Sequence, residues 1–284
     1  MGRYRKILTA IDGSLTSLHA LEESFKLAQN EGTWITVVSV IPPYTGDLDL
    51  VAVGNVMASM RKPCDEALKK AQELADKQKV LIKTVCEEGE PYERIIDLAQ
   101  AENCDLIVMG RRGLKRLERV LVGSVTARVI GYSPIDVLVV PRDTSVGFKK
   151  VLIATDGSKF SSAAEKKAID FARSYGGELH VISVVDVPAE LYAESSKTVD
   201  ELISKAKGYV DSVKKDAESS GVKTQVIVRE GEAYRIIADT ARELDAGIII
   251  MGSHGRTGLK RLLMGSVTEK VIGHAPCPVL VVKA

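Results

Sequence analysis

Residues 109–142 read MGRRGLKRLERVLVGSVTARVIGYSPIDVLVVPR, and residues 251–284 read MGSHGRTGLKRLLMGSVTEKVIGHAPCPVLVVKA. Just over half of the aligned positions are identical. An earlier pair of blocks agrees as well: KILTAIDGS at 6–14 and KVLIATDGS at 150–158. The repeat is far longer than the ~20–50 residues of a solenoid unit, so it marks a duplicated domain. The two pairs repeat at offsets that differ slightly, so a small length change lies between them. The boundary falls in the short polar run Asp143-Thr144-Ser145-Val146-Gly147, which predicts domains over 1–143 and 148–284.

Each half reads as apolar, β-branched strands alternating with helices. In the first half strands are expected at 6–11, 34–41, 81–87, 105–109 and 136–140. Helices are expected at 15–30, 60–79, 92–102 and 124–132, the third opening just after Pro91. The second half repeats this order. Such alternation predicts an α/β fold: two tandem five-stranded parallel, doubly wound domains with strand order 3-2-1-4-5. Ligands on such sheets bind at the carboxyl ends of the strands where the winding reverses, here between the first and fourth.

The residues directly after those two strands are unusual. After the first come Asp12-Gly13-Ser14 and Asp156-Gly157-Ser158. After the fourth comes Gly-x2-Gly-x9-Gly-Ser, at Gly110, Gly113, Gly123 and Ser124, and again at Gly252, Gly255, Gly265 and Ser266. Glycines let backbone N–H groups approach an oxyanion and turn with positive φ. A helix opening at the last Gly-Ser offers unpaired amides and a positive dipole end. Ser124 and Ser266 can cap that helix or bond a phosphate oxygen, and the aspartates can accept from ribose hydroxyls or an adenine amine. The competing structural reading is Gly-rich turns and ordinary capping, for which Ser266-Val267-Thr268-Glu269 has the capping-box pattern. Neither a P-loop nor a dinucleotide fingerprint is present.

On these residues the chain resembles the tandem members of the universal stress protein family, in their ATP-binding branch, over nearly its whole length. The resemblance implies a Rossmann-like fold, a cytoplasmic homodimer and a role in stress survival. It implies nucleotide sites at Ala10, Asp12, Val40, Met109, Gly110, Gly113, Gly123, Ser124 and Val125, and at Ala154, Asp156, Val184, Met251, Gly252, Gly255, Gly265, Ser266 and Val267. Asp would read the nucleoside, Val40 and Val184 would line the adenine pocket, and glycines and serine would hold phosphates. The ligand would be ATP, ADP or AMP, with Mg²⁺ as companion of a triphosphate. The first half departs from the pattern at Arg111-Arg112, opposite Ser253-His254, and at Ile11, opposite Thr155. The arginines either strengthen phosphate binding or face solvent.

Composition narrows the alternatives. A net charge of +1 and 5% aromatic residues speak against nucleic acid or an anionic membrane as partner. The apolar run at 7–11 is too short for a secretory core or a membrane span. Cys64, Cys86, Cys104 and Cys277 lack metal or redox spacing and read as buried free thiols of a reducing cytoplasm. His254 reads as an exposed loop residue, and no titratable partner is evident beside it. Lys115, Arg116, Arg119, Arg256, Lys260 and Arg261 form either a solvated face or a positive rim. Residues 42–60 pack on their own domain, cover the nucleotide or meet a partner. The closing strands, at 137–140 and 279–282, stand at sheet edges, which suggests pairing between domains and then a homodimer. A nucleotide-dependent sensor leads these readings; a slow ATPase or phosphotransferase, and a nucleotide-free scaffold, are the alternatives.

Overall fold

A computed structural model describes residues 4–28, 33–43, 53–113, 122–187, 196–256 and 264–284. It divides into two compact units, one over Tyr4–Asp143 and one over Thr144–Ala284. In the first unit, β1 (Lys6–Ala10), β2 (Trp34–Ile41), β3 (Ile82–Glu88), β4 (Leu106–Gly110) and β5 (Asp136–Val140) form a parallel sheet in the order β3-β2-β1-β4-β5. In the second, β6 (Lys150–Ala154), β7 (Glu178–Val185), β8 (Thr224–Glu230), β9 (Ile248–Gly252) and β10 (Val279–Val282) run β8-β7-β6-β9-β10. Both are the expected 3-2-1-4-5 order.

Burial explains the strand composition. All five residues of β4 and of β9 are buried, as continuous apolar runs covered on both faces should be. The helices of the first unit are α1 (Leu15–Ala28), α2 (Val53–Gln78), α3 (Pro91–Ala101) and α4 (Ser124–Tyr132). Those of the second are α5 (Lys159–Tyr175), α6 (Ser196–Ser219), α7 (Ala233–Glu243) and α8 (Ser266–His274). Each long crossover helix buries a stripe at helical spacing: Cys64, Ala67, Ala71 and Ala75 on α2, and Ala206, Val210, Val213 and Ala217 on α6. The ends of α5 are set locally. The Ser158 side chain accepts from the Ser161 amide at its start, and Gly176 takes the left-handed conformation (φ 67°) at its end.

Two expectations change. The helix expected at 60–79 runs over Val53–Gln78 instead, with Pro63 inside it. Residues 44–52, the rest of the segment considered at 42–60, lie outside the described residues. The cysteines are also not all free thiols: Cys64 and Cys86 form a disulfide, while Cys104 and Cys277 are free and buried. Spacing along the chain conceals the pair, because the partners sit on α2 and β3 and only the crossover brings their Cα atoms to 6.4 Å.

The run at 143–147 does more than link. Asp143 adopts φ 61°, Val146 is buried, and the Gly147 amide donates to the Gly247 carbonyl at 3.0 Å. The two glycine backbones lie so close that a Cβ on Gly247 would stand 2.6 Å from the Gly147 carbonyl carbon. Gly208, exposed on α6, has open space around a Cβ instead. In urea unfolding of the full chain, Gly247→Ala is expected to destabilise the second unit by about 1–3 kcal/mol. Gly208→Ala is expected to stabilise the same unit by about 0.5–1 kcal/mol, since alanine restricts the unfolded chain and favours helix. Shifts of equal sign would contradict this packing.

Candidate functional site

The carboxyl ends of β6 and β9 diverge toward helices on opposite faces, and a cavity of about 430 Å³ opens there. That volume suits a small molecule, for which pockets run ~300–1,000 Å³. Its lining includes all nine positions singled out in the second half: Ala154, Asp156, Val184, Met251, Gly252, Gly255, Gly265, Ser266 and Val267. Ala154 ends β6 and Asp156 follows it, Val184 lies on β7, Met251 and Gly252 end β9, Gly255 lies in the loop after it, and Gly265, Ser266 and Val267 form the cap and start of α8.

Asp156 organises the mouth. Its Oδ1 accepts from the Ser158 amide at 3.0 Å, which shapes the turn after β6. Its Oδ2 accepts from the Arg256 amide at 2.9 Å, which ties in the loop after β9. Arg256 Nε donates to the Asp156 carbonyl at 2.7 Å, and its guanidinium lies 5.2 Å over the Tyr209 ring. Arg256 is therefore held in place at the cavity. The other basic positions of the expected rim, Lys115, Arg116, Arg119, Lys260 and Arg261, lie outside the described residues.

The glycines divide their tasks differently from the sequence reading. None of the six motif glycines has positive φ; in these turns that conformation belongs to Gly13 (77°) and Gly157 (73°). Gly110 and Gly252 serve helix packing: a Cβ would stand 3.0 Å from the Thr16 carbonyl oxygen and 2.7 Å from that of Phe160. Gly113 and Gly255 make room for the aspartates, since a Cβ would collide with Asp12 Oδ2 in one unit and stand 2.9 Å from Asp156 Oδ2 in the other. Gly123 and Gly265 are the N-caps, and their amides close the loop by donating to the Arg111 carbonyl at 2.9 Å and the Ser253 carbonyl at 2.8 Å.

The caps also change. Ser124 and Ser266 are first helical residues, so neither caps its helix, and Ser266-Val267-Thr268-Glu269 does not form a capping box. With glycine at the cap no side chain covers the helix end. The first intrahelical bond in α8 runs from the Glu269 amide to the Gly265 carbonyl at 3.0 Å. The amides of Ser266, Val267 and Thr268 precede it and point out of the helix end. Thr126 and Thr268, which the sequence reading did not single out, anchor these helices: their hydroxyls donate to the Gly110 carbonyl at 3.1 Å and the Gly252 carbonyl at 3.0 Å. The matching threonine two residues after each Gly-Ser was the available signal.

Four more lining residues come from elements whose approach is tertiary: Leu202 and Ala206 on α6, and Ala233 and Ile237 on α7. Asp186, just after β7, accepts from the Ala233 amide at 3.1 Å and also lines the cavity. His254 is half-buried rather than exposed, with Nδ1 3.1 Å from Ser253 Oγ and its ring 5.3 Å from that of Phe160. The aromatic contact comes from α5, which sequence proximity could not reveal. Among the described residues no three His, Cys, Asp or Glu side chains converge as metal ligands.

In the first unit the matching residues stand on matching elements. Ala10 and Met109 are register partners, and Val40 stands half-buried near the end of β2. Asp12 Oδ1 accepts from the Ser14 amide at 3.0 Å. Gly113 abuts Asp12, and Gly123, Ser124 and Val125 open α4. Ile11 replaces the hydroxyl of Thr155, which in the second unit bonds the Gly157 amide at 3.2 Å and Glu165. Arg111 and Arg112 are half-buried rather than solvent-facing. Burial, and then the like charge of Arg112, lowers the Arg111 pKa. The Arg112 Nε is buried with no hydrogen-bond partner among the described residues.

Comparison with known proteins agrees with this architecture. The model of the universal stress protein family matches twice, over residues 3–141 and 147–283. A universal stress protein of Methanocaldococcus jannaschii is 44% identical over 140 residues, covering 48% of this chain and 82% of its own length. A Mycolicibacterium smegmatis universal stress protein aligns end to end at 28% identity, covering 98% of this chain and 96% of its own. The crystal structure of an Archaeoglobus fulgidus universal stress protein superposes with a TM-score of 0.77 at 26% identity, over 99% of this chain and 97% of that one. The chain thus belongs to the universal stress protein family and carries two of its domains in tandem.

Proposed function

We propose that this protein is a stress-response regulator that holds an adenine nucleotide, ATP, ADP or AMP, in its second domain and, by repetition of the site, in its first. The observation that carries the reading is the second-domain cavity, where an aspartate, an apolar wall and an uncapped helix start converge. Asp156 accepts from the ribose hydroxyls, retaining lone pairs beyond its two backbone bonds. Val184 and Ile237 flank the base. Ser266 and the amides at the start of α8 meet the phosphates, where an anion also interacts favourably with the helix dipole. Mg²⁺ enters with a triphosphate, bound chiefly by the phosphates and water. In the first domain Arg111 and Arg112 add positive charge beside the same phosphate position.

The rest of the reading concerns setting. A cytoplasmic location and a homodimer are part of it. Among the described residues no helix is long and apolar enough to cross a membrane. Nucleotide acts by binding one conformation of the chain better than another.

Chromatography with mass detection, on nucleotide released by denaturing freshly purified protein, is expected to recover adenine nucleotide. Protein that releases none, and shows no thermal shift with ATP, would refute the reading. Asp156→Ala is expected to weaken ATP binding in the second domain by about 1.5–3 kcal/mol, roughly ten- to hundredfold in titration calorimetry. Unchanged affinity would remove Asp156 from the site. Sedimentation of dilute protein is expected to give the mass of two chains; a monomer throughout would count against the dimer.

A further inference from the structure

The disulfide between Cys64 and Cys86 ties α2 to β3. Its place in the repeat gives it a bearing on the first nucleotide site. Aligning α2 with α6 sets Cys64 opposite Ala206 and Ala67 opposite Tyr209. The turns after β1 and β6 support that alignment: a Cβ on Gly13 would meet Ala67 at 3.5 Å, and one on Gly157 would meet Tyr209. Ala206 lines the second-domain cavity. Cys64 is what the first domain carries at the counterpart position. The other sulfur comes from the sheet. Cys86 pairs in register with Ser39, the neighbour of Val40, and Cys64 Sγ lies 3.5 Å from the Ser39 carbonyl oxygen. In the second domain Val228 stands opposite Ser183, so the counterpart positions cannot form such a bond.

Access is one-sided. Cys64 is buried and Cys86 half-buried, so an incoming thiolate reaches the Cys86 sulfur. Cys104 and Cys277 do not compete, because burial pushes their thiols up to about 11 and about 12, leaving almost no thiolate at neutral pH.

We propose that the Cys64–Cys86 bond is a reversible redox modification site that controls the affinity of the first domain for its nucleotide, an inference that rests on the nucleotide reading above. The reductant is a dithiol. Its thiolate attacks Cys86 Sγ, the Cys64–Cys86 bond breaks, and Cys64 leaves as a thiolate that takes up a proton. The second reagent thiol then resolves the mixed disulfide and releases Cys86 as a thiol. Two electrons pass to the chain, and the reagent ends as a disulfide. With the bond intact, the turn of α2 that carries Cys64 and Ala67 is held against β2 and β3, and the pocket wall is preorganised. Once it is broken, nucleotide binding must also order that turn. Linkage makes the effect mutual: nucleotide protects the bond from reduction by the same factor by which the bond favours nucleotide.

The test is calorimetric titration of the full chain with ATP, before and after dithiothreitol, with iodoacetamide labelling of the native protein. Reduction is expected to expose Cys64 and Cys86 to alkylation, to weaken one ATP site at least fivefold, and to leave the other unchanged. ATP is expected to make the bond correspondingly harder to reduce. The double variant Cys64→Ala with Cys86→Val, which copies the second repeat, is expected to lose all response to dithiothreitol. A bond that resists reduction in the native protein, titrations that superimpose, or a double variant that still responds would overturn the proposal. Failure of both domains to bind ATP in either state would instead defeat the nucleotide reading, and this inference with it. ATP binding in the second domain with a redox-indifferent first domain would defeat this inference alone.

Discussion

A carboxylate shared between two loops governs the whole site. Asp156 bonds the turn that leaves β6 through Ser158 and the loop that leaves β9 through Arg256. The two strands are neighbours in the sheet, but their chains depart toward opposite faces, so nothing in the sheet itself fixes the gap between them. The aspartate does, and Gly255 is the residue that lets it: any side chain there would press a carbon against the same oxygen. In the first domain Asp12 likewise bonds the Ser14 amide, and Gly113 abuts its carboxylate.

That constraint recasts the glycine motif. A phosphate loop is commonly pictured as glycines freeing amides for an anion. Here the first glycine lets a helix backbone pack against a strand end, the second accommodates a carboxylate, and the third closes the loop and leaves its helix uncapped. The amides open to an anion are those that follow, at Ser266, Val267 and Thr268. Close packing of the first two glycines holds the helix start where its free amides face the cavity.

Duplication has left the scaffold alike and altered its edges. Strand order and the threonine anchors recur in both domains. What differs surrounds the site. Tyr209 with Arg256 stands in one domain where Ala67 stands in the other. Thr155 is matched by Ile11, and Ser253-His254 by the half-buried Arg111-Arg112. A disulfide joins Cys64 and Cys86 in one domain where the other carries Ala206 and Val228. Such changes alter polarity and charge beside matching strand ends of a shared scaffold.

The repeat, the alternation of strands with helices, the sheet order and the position of the crevice all follow from the chain alone. Apolar runs, crossover handedness and turn residues are local or statistical constraints that need no coordinates. So is the choice of Asp12, Asp156 and the glycine motifs as the residues that meet there. Three-dimensional packing decided the rest. The division of labour among glycines depends on which backbone or carboxylate approaches each one. The lining contributed by α6 and α7 depends on where those helices cross the strand ends. The pairing of Cys64 with Cys86 depends on a helix folding back over the sheet. Contacts between residues distant in sequence are set by how whole elements pack, and periodicity within one element carries no record of its neighbour.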